Sequence, residues 1–254
     1  MYKVSLGALS NGIGVSAYGG MLDGYMFSDD TCSNCFEQLI DKIVYSMNER
    51  KYFPIYRMAD GEYRFLFGTI VSWKPRTWKN IYSKVKYDLL GCDWKTSWGE
   101  TYDKNKVNNL RKNLFFYIRS IANSGKLALY WNENGLNAFT EYNKILISNF
   151  VARDIGVTED NYIPFHFAQA TLALRVRQLV KGRVVLIVSG MEKDEYFALS
   201  SNLRNFGANR VMFLRCSPTS SLEDDFTSVR LKSKPNLVLV AAGIGSAKII
   251  FDMS

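Results

Sequence analysis

The sequence predicts an α/β protein: a Rossmann-like parallel sheet flanked by helices, preceded by an irregular Gly-rich N-terminus. Three observations predict it. Arg183-Val184-Val185-Leu186-Ile187-Val188, Arg210-Val211-Met212-Phe213-Leu214 and Asn236-Leu237-Val238-Leu239-Val240-Ala241 are apolar runs of strand length. They lack the alternation of a half-exposed strand, as expected where both faces of a sheet are covered. Helical or loop segments separate them, and right-handed crossovers between parallel strands complete the layout.

Taken in order, residues 1–30 hold glycines at 7, 12, 14, 19, 20 and 24 and read as an irregular lead-in to a single domain over 31–254. A helix follows the Asp29-Asp30-Thr31 cluster, with apolar positions 36, 39, 40, 43 and 44 on one face. Phe53-Pro54-Ile55-Tyr56-Arg57 reads as a short strand, Met58 to Glu62 as a turn, and Tyr63 to Phe67 as the start of a helix. Further helices are expected near 105–123, 136–152 and 167–181, with a strand at Lys126 to Trp131. After the strand at 183–188 come a helix over 193–206, the second strand, a polar loop from Ser217 to Asp225, the third strand and a last helix from Ala247.

Composition narrows the function classes. Lys and Arg number 32 against 24 Asp and Glu, a net charge of +8 that favours acidic partners: a nucleotide diphosphate, an anionic membrane surface or a nucleic acid. The basic, aromatic stretch from Lys74 to Lys86 fits a membrane or nucleic-acid face, or simply a solvated one. It carries no recognisable nucleic-acid motif, so nucleic acid is not expected as a partner. No apolar run reaches the ~18–20 residues of a membrane span, and the N-terminus lacks the compact apolar block of a signal peptide. A cytoplasmic chain, with peripheral contact to the inner membrane face, is the expectation. Cys32-Ser-Asn-Cys35 has C-x-x-C spacing, but the chain holds one histidine, His166, so reduced thiols are the plainer reading than a zinc or redox site.

In an open parallel sheet, ligands bind beyond the carboxyl ends of the strands. That rule nominates five segments. Arg57-Met58-Ala59-Asp60-Gly61-Glu62 sets two carboxylates two residues apart after a strand, a spacing that suits a hard divalent ion. Arg57 is placed to face the same anionic ligand. The plainer reading is an Asp-Gly turn and a helix whose first turn favours Glu62. Gly243-Ile244-Gly245-Ser246 follows a buried strand and precedes a helix, so its backbone N–H groups suit a phosphate; close helix–sheet packing explains it equally well. Ser189-Gly190 ends the central strand, and Glu192 and Asp194 just beyond it are candidate proton acceptors or ordinary capping residues. Trp131-Asn132-Glu133-Asn134 and the loop from Cys216 to Ser221 complete the set. His166, between Phe165 and Phe167, reads more readily as a packed residue.

At Arg57-Met58-Ala59-Asp60-Gly61-Glu62, continued by Arg64-Phe65-Leu66-Phe67-Gly68, the sequence resembles the GT-D-fold glycosyltransferases and their D-x-E segment. The strand ending in Ser189-Gly190, and Leu237 through Lys248, resemble that family's central strand and its late strand, small-residue loop and helix. Met58-Ala59 stands where the family has Phe-Gly. The resemblance spans about 53–252, and the family pattern continues beyond the point where this chain stops, implying a C-terminally truncated domain or a missing last strand. The resemblance implies transfer of a hexose from a nucleotide-diphosphate sugar, a UDP-sugar, to a hydroxyl on a glycan, glycoprotein or lipid-linked saccharide, with Mn²⁺ (or Mg²⁺) as cofactor. It implies that Asp60 and Glu62 hold the metal, and that Arg57 and Gly61 belong to the site. Ser189, Gly190, Gly243, Gly245 and Ser246 are then expected along the substrate, with Glu192 as the base. A metal-independent nucleotide- or S-adenosylmethionine-binding transferase and a non-catalytic basic binding module are the competing expectations.

Overall fold

The computed structural model describes residues 30–58, 60–67, 93–96, 99–129 and 161–254, without the side chains of 30–33, 60, 67, 162 and 164–166. The expectations for the Gly-rich lead-in, the basic stretch at 74–86, Trp131 to Asn134 and the helix at 136–152 lie outside the described residues.

Helix α1 (Asp30–Asn48) forms where its apolar spacing predicts, burying Phe36, Leu39, Ile40, Ile43 and Met47. Arg50, with φ of 54°, turns the chain out of it, and Pro54 leads into strand β1 (Ile55–Arg57). After β1 come helix α2 (Asp60–Phe67) and an antiparallel hairpin of β2 (Trp94–Lys95) and β3 (Thr101–Tyr102). Helix α3 (Lys104–Ser124) is started by the Asp103 carboxylate, which accepts from the Asn105 N–H at 2.7 Å. Its buried residues Val107, Leu114, Ile118 and Ile121 recur at helical spacing. At its end a Cβ on Gly125 would stand 1.9 Å from the Pro54 carbonyl, so β4 (Lys126–Leu129) starts flush against the start of β1. Strand β4 pairs in parallel with both β1 and β5 (Tyr162–Pro164), in the order β1-β4-β5.

Helix α4 (Phe165–Val180) then leads to a second parallel sheet: β6 (Val184–Ser189), β7 (Arg210–Arg215) and β8 (Leu237–Ala241), in the order β7-β6-β8. Helix α5 (Lys193–Asn205) makes the crossover from β6 to β7, and α6 (Ser246–Asp252) follows β8. Central β6 is covered on both faces, with Val185 through Val188 at most 1% exposed, as its unbroken apolar run requires. The architecture is thus mixed α/β, small parallel sheets flanked by helices.

Among the described residues the parallel strands pair in two three-stranded ladders. The structure corrects three expected elements. Strand β5 and the β2–β3 hairpin were not foreseen, since two- and three-residue strands carry too few positions for a period. The segment 60–62 is the first turn of α2 rather than a loop before it. The two sheets share core: Leu237 packs against clusters on both, and the Tyr52 hydroxyl donates to the Ile250 carbonyl at 3.1 Å. Among the described residues no helix is long and apolar enough to cross a membrane.

Candidate functional site

Strand β1 ends at Arg57, and the buried Met58 still donates its N–H to the Ala128 carbonyl at 3.1 Å. Helix α2 begins two residues later. Asp60, Gly61 and Glu62 therefore form a helical first turn, where free N–H groups and the helix dipole favour carboxylates. This short helix is enclosed on most sides: Tyr63 and Phe65 are fully buried, Leu66 nearly so, and Arg64 is exposed. Its far end is tied down by Arg111, whose Nε donates to the Phe65 carbonyl. Enclosure carries Glu62 inside with it, only 7% exposed.

Tyr56, in strand β1, is 2% exposed, and its hydroxyl finds no hydrogen-bond partner among the described residues. Burial pushes its pKa well above the ordinary value, the Glu62 and Glu100 carboxylates push it further, and Arg57 opposes them. These groups therefore share one neighbourhood. Arg57, at the carboxyl end of β1, is exposed while Tyr56 points inward, the alternation of a strand.

Glu100 comes from the hairpin. It is 2% exposed, and its N–H is held by the Thr96 hydroxyl at 2.8 Å. Its Oε1 accepts the Tyr102 hydroxyl at 3.0 Å and also the Ser221 hydroxyl. Tyr102 in turn accepts the Leu222 N–H at 3.2 Å, and the Thr101 N–H donates to the Thr219 carbonyl at 2.7 Å. The hairpin is thus tied to the loop after β7 through both backbone and side chain. Ser221 also lies 2.6 Å from the Ala242 carbonyl, and its single proton serves one of these two acceptors at a time.

Ala242 leads into the glycine turn, a 3₁₀ turn over Gly243–Gly245. Gly243 has φ of 53°, which favours glycine. A Cβ on Gly245 would meet the Ser221 hydroxyl at 2.4 Å and its backbone at 2.5 Å. Close packing therefore accounts for Gly245: the side expected to open toward a phosphate is filled by Ser221. The Ser246 hydroxyl is engaged within the turn, accepting the Ala242 N–H at 3.2 Å. Helix α2 packs against this turn, and Ile244 enters the core that holds Tyr63 and Phe65. The helix that begins with Asp60 to Glu62 thus packs on the turn that begins at Gly243.

The other candidates lie along the second sheet. Ser189 pairs with Arg215 on one side and Ala241 on the other, and its hydroxyl accepts the Met191 N–H at 3.2 Å. Gly190 is pressed against Pro218, where a Cβ would stand 3.0 Å from Cα. Glu192 precedes α5; its carboxylate pairs with Arg215 at 2.6 Å, both side chains more than half exposed. The Glu192 N–H is held by Glu195, so this segment acts first as a helix cap. Cys216 is buried, which raises its thiol to about 11, unlike a reactive thiol, and Cys35 packs partly buried beside α1's core face. The side chains of Asp60, His166 and Cys32 are outside the described residues.

Among the described residues no three His, Cys, Asp or Glu side chains converge into a metal-holding group. Glu62 and Glu100 are buried carboxylates, oxygen donors of the kind a hard divalent cation takes, and the buried Tyr56 hydroxyl, which both influence electrostatically, is unpartnered among the described residues. Glu100 and Tyr56 were missed in the sequence. Tyr56 was legible as the strand position before Arg57, whereas Glu100 sits in a hairpin too short to announce itself. No protein-family model, no curated protein and no solved structure matches the chain.

Proposed function

We propose that this chain is a metal-dependent glycosyltransferase that moves a hexose from a nucleotide-diphosphate sugar, a UDP-sugar, to a hydroxyl on a glycan, glycoprotein or lipid-linked saccharide. The supporting observation is the meeting of α2 with the glycine turn around buried Glu62, Glu100 and Tyr56. In this reading the two parallel sheets are parts of one Rossmann-like layer, with the site beyond the carboxyl end of β1. The chain works in the cytoplasm, peripheral to the membrane, and nucleic acid is not a partner.

Asp60 and Glu62 would hold Mn²⁺ or Mg²⁺, which when bound neutralises charge on the departing diphosphate. Arg57, exposed at the rim, pairs with a phosphate oxygen. Gly61 leaves the first turn of α2 without a side chain in the ligand's way; Ser189 and Gly243 lie along the substrate, and Gly190, Gly245 and Ser246, packed on Pro218 and Ser221 or bonded within the turn, support them from behind. The bond between the anomeric carbon and the β-phosphate oxygen breaks, its electron pair leaving with the nucleoside diphosphate. The acceptor oxygen bonds to the anomeric carbon and gives up its proton. Glu192, exposed beyond β6 and paired with Arg215, takes that proton.

The test is calorimetric titration of a UDP-sugar panel with Mn²⁺ and then with EDTA, on wild type, Asp60→Ala, Glu62→Gln and Arg57→Lys. Binding of one donor should need the metal and vanish in the two carboxylate variants, while Arg57→Lys should weaken it. Donor binding that ignores EDTA would move the chain to the metal-independent nucleotide-binding class. Wild-type turnover in Asp60→Ala or Glu62→Gln would remove the metal assignment.

A further inference from the structure

At the opposite ends of the first sheet's strands lies a cleft of about 690 Å³, within the range of small-molecule sites. It is lined where Lys51 to Phe53 enter β1 and where Ser124 to Lys126 enter β4, with Lys42 and Tyr45 of α1 as one wall. Its floor is fixed by the contact of Gly125 with Pro54, whose carbonyl accepts the Lys126 N–H at 2.8 Å.

Two features of the lining point to a ligand. The first is charge: Lys42, Lys51 and Lys126 line one cleft, and the Glu49 carboxylate acts on Lys51. Lys51 is positioned before any ligand arrives. Its Nζ donates to the Tyr45 hydroxyl at 2.9 Å and stands 4.8 Å from that ring's centre, while Lys42 Nζ lies 6.0 Å from the same ring. The second is exposed ring surface: Tyr45 is 49% and Tyr52 42% exposed, whereas Tyr56, Tyr63 and Tyr102 are buried almost completely. Tyr52 is anchored through its hydroxyl to the Ile250 carbonyl, leaving its ring as a fixed wall. Asn123, Ser124 and Asn161 add amide and hydroxyl groups at the rim.

We propose that this cleft binds an anionic saccharide, a sugar carrying a phosphate or carboxylate. Ring faces accept the C–H face of a sugar, lysine ammonium groups pair with its anionic substituent, and amides bond its hydroxyls. The cleft lies at the amino ends of β1 and β4, away from the α2 site at the carboxyl end of β1, and does not depend on the glycosyltransferase reading.

The experiment is calorimetric titration of the whole chain, without added metal or nucleotide, with four probes: glucose 6-phosphate, a glucuronate-containing oligosaccharide, inorganic phosphate and a short single-stranded oligonucleotide. One of the two saccharides should bind at least tenfold more tightly than inorganic phosphate and the oligonucleotide. Glucose 6-phosphate as the tighter of the two identifies a free sugar phosphate, and the oligosaccharide a uronate-bearing glycan. Lys42→Ala/Lys51→Ala and, separately, Tyr45→Ala should weaken that binding at least tenfold with an unchanged far-ultraviolet spectrum. The proposal is overturned by saccharide binding no tighter than inorganic phosphate, by tighter oligonucleotide binding, by an unaffected double lysine variant, or by no saturable saccharide binding.

Discussion

Ser221 and Glu100, 121 positions apart in the chain, are joined by a buried hydrogen bond in which the serine hydroxyl donates to the carboxylate. The same serine covers the Cβ position of Gly245 and lies against the Ala242 carbonyl. One residue of the loop after β7 therefore sets the distance between the hairpin and the glycine turn. Glu62 lies in the helix that packs on that turn, so its surroundings depend on this link.

Removing Glu100 tests the link. Glu100→Ala leaves the Tyr102 hydroxyl without its buried acceptor and Ser221 with one acceptor of two, and should cost about 1–3 kcal/mol in urea unfolding. Glu100→Gln keeps an acceptor oxygen and should cost less. Equal losses in the two variants would show that the carboxylate's hydrogen bonds contribute little.

The two glycines of the turn should behave differently. Gly245→Ala forces a Cβ into the Ser221 backbone and should lower stability by about 1–3 kcal/mol, more if the loop after β7 cannot shift. Gly243→Ala meets the left-handed backbone penalty, about 1–2 kcal/mol. The Gly245 change should also disturb the environment of Tyr102, read by near-ultraviolet circular dichroism, because Ser221 and Leu222 both contact the Glu100–Tyr102 pair.

Tyr56 gives a pH prediction with a definite sign. Its hydroxyl is buried and unpartnered among the described residues, so Tyr56→Phe should leave stability at neutral pH unchanged or slightly raised. Burial, Glu62 and Glu100 hold its folded-state pKa well above the ordinary 10.0. In the unfolded chain the phenol ionises near that ordinary value. Above it the unfolded state holds fewer protons than the folded state, so stability falls as pH rises. Tyr52, pushed up to about 12 by burial, acts in the same direction. Urea titrations between pH 8 and 11 should show a shallower alkaline loss for Tyr56→Phe than for wild type. Parallel curves would place that phenol in a less restrictive environment.

The contrast between β6 and the hairpin shows what the sequence could carry. Val184 to Ser189 is covered on both faces, and an unbroken apolar run is the direct consequence. Trp94-Lys95 and Thr101-Tyr102 alternate buried and exposed, but over two residues each, which no period can distinguish from loop. Glu100 was hidden for that reason: its burial is created by Tyr102, Ser221 and Leu222, partners distant or unremarkable in sequence. Asp60 to Glu62 and Gly243 to Ser246 stood out locally, yet the packing of α2 on the glycine turn is a tertiary contact that neither segment announces. Glu192 stood out for its place after a strand, whereas its pairing with Arg215, 23 positions on, could not be read locally.

Lys248 and Asp252 make the last prediction. They form an i, i+4 ion pair on α6 with side chains only 14% and 4% exposed. Lys248 also donates to the Asp224 carbonyl, and Asp252 accepts the Phe226 N–H at 3.3 Å. The pair thus ties α6 to the loop between β7 and β8. Asp252→Ala leaves an ammonium group enclosed without its counter-charge and should cost about 3–5 kcal/mol. Lys248→Met/Asp252→Leu removes both charges and fills the space, so it should recover most of that loss even though the Phe226 N–H loses an acceptor. Urea unfolding of the three proteins separates the contributions. If the double variant is as unstable as Asp252→Ala, the loss comes from the hydrogen bonds to the loop and not from the stranded charge.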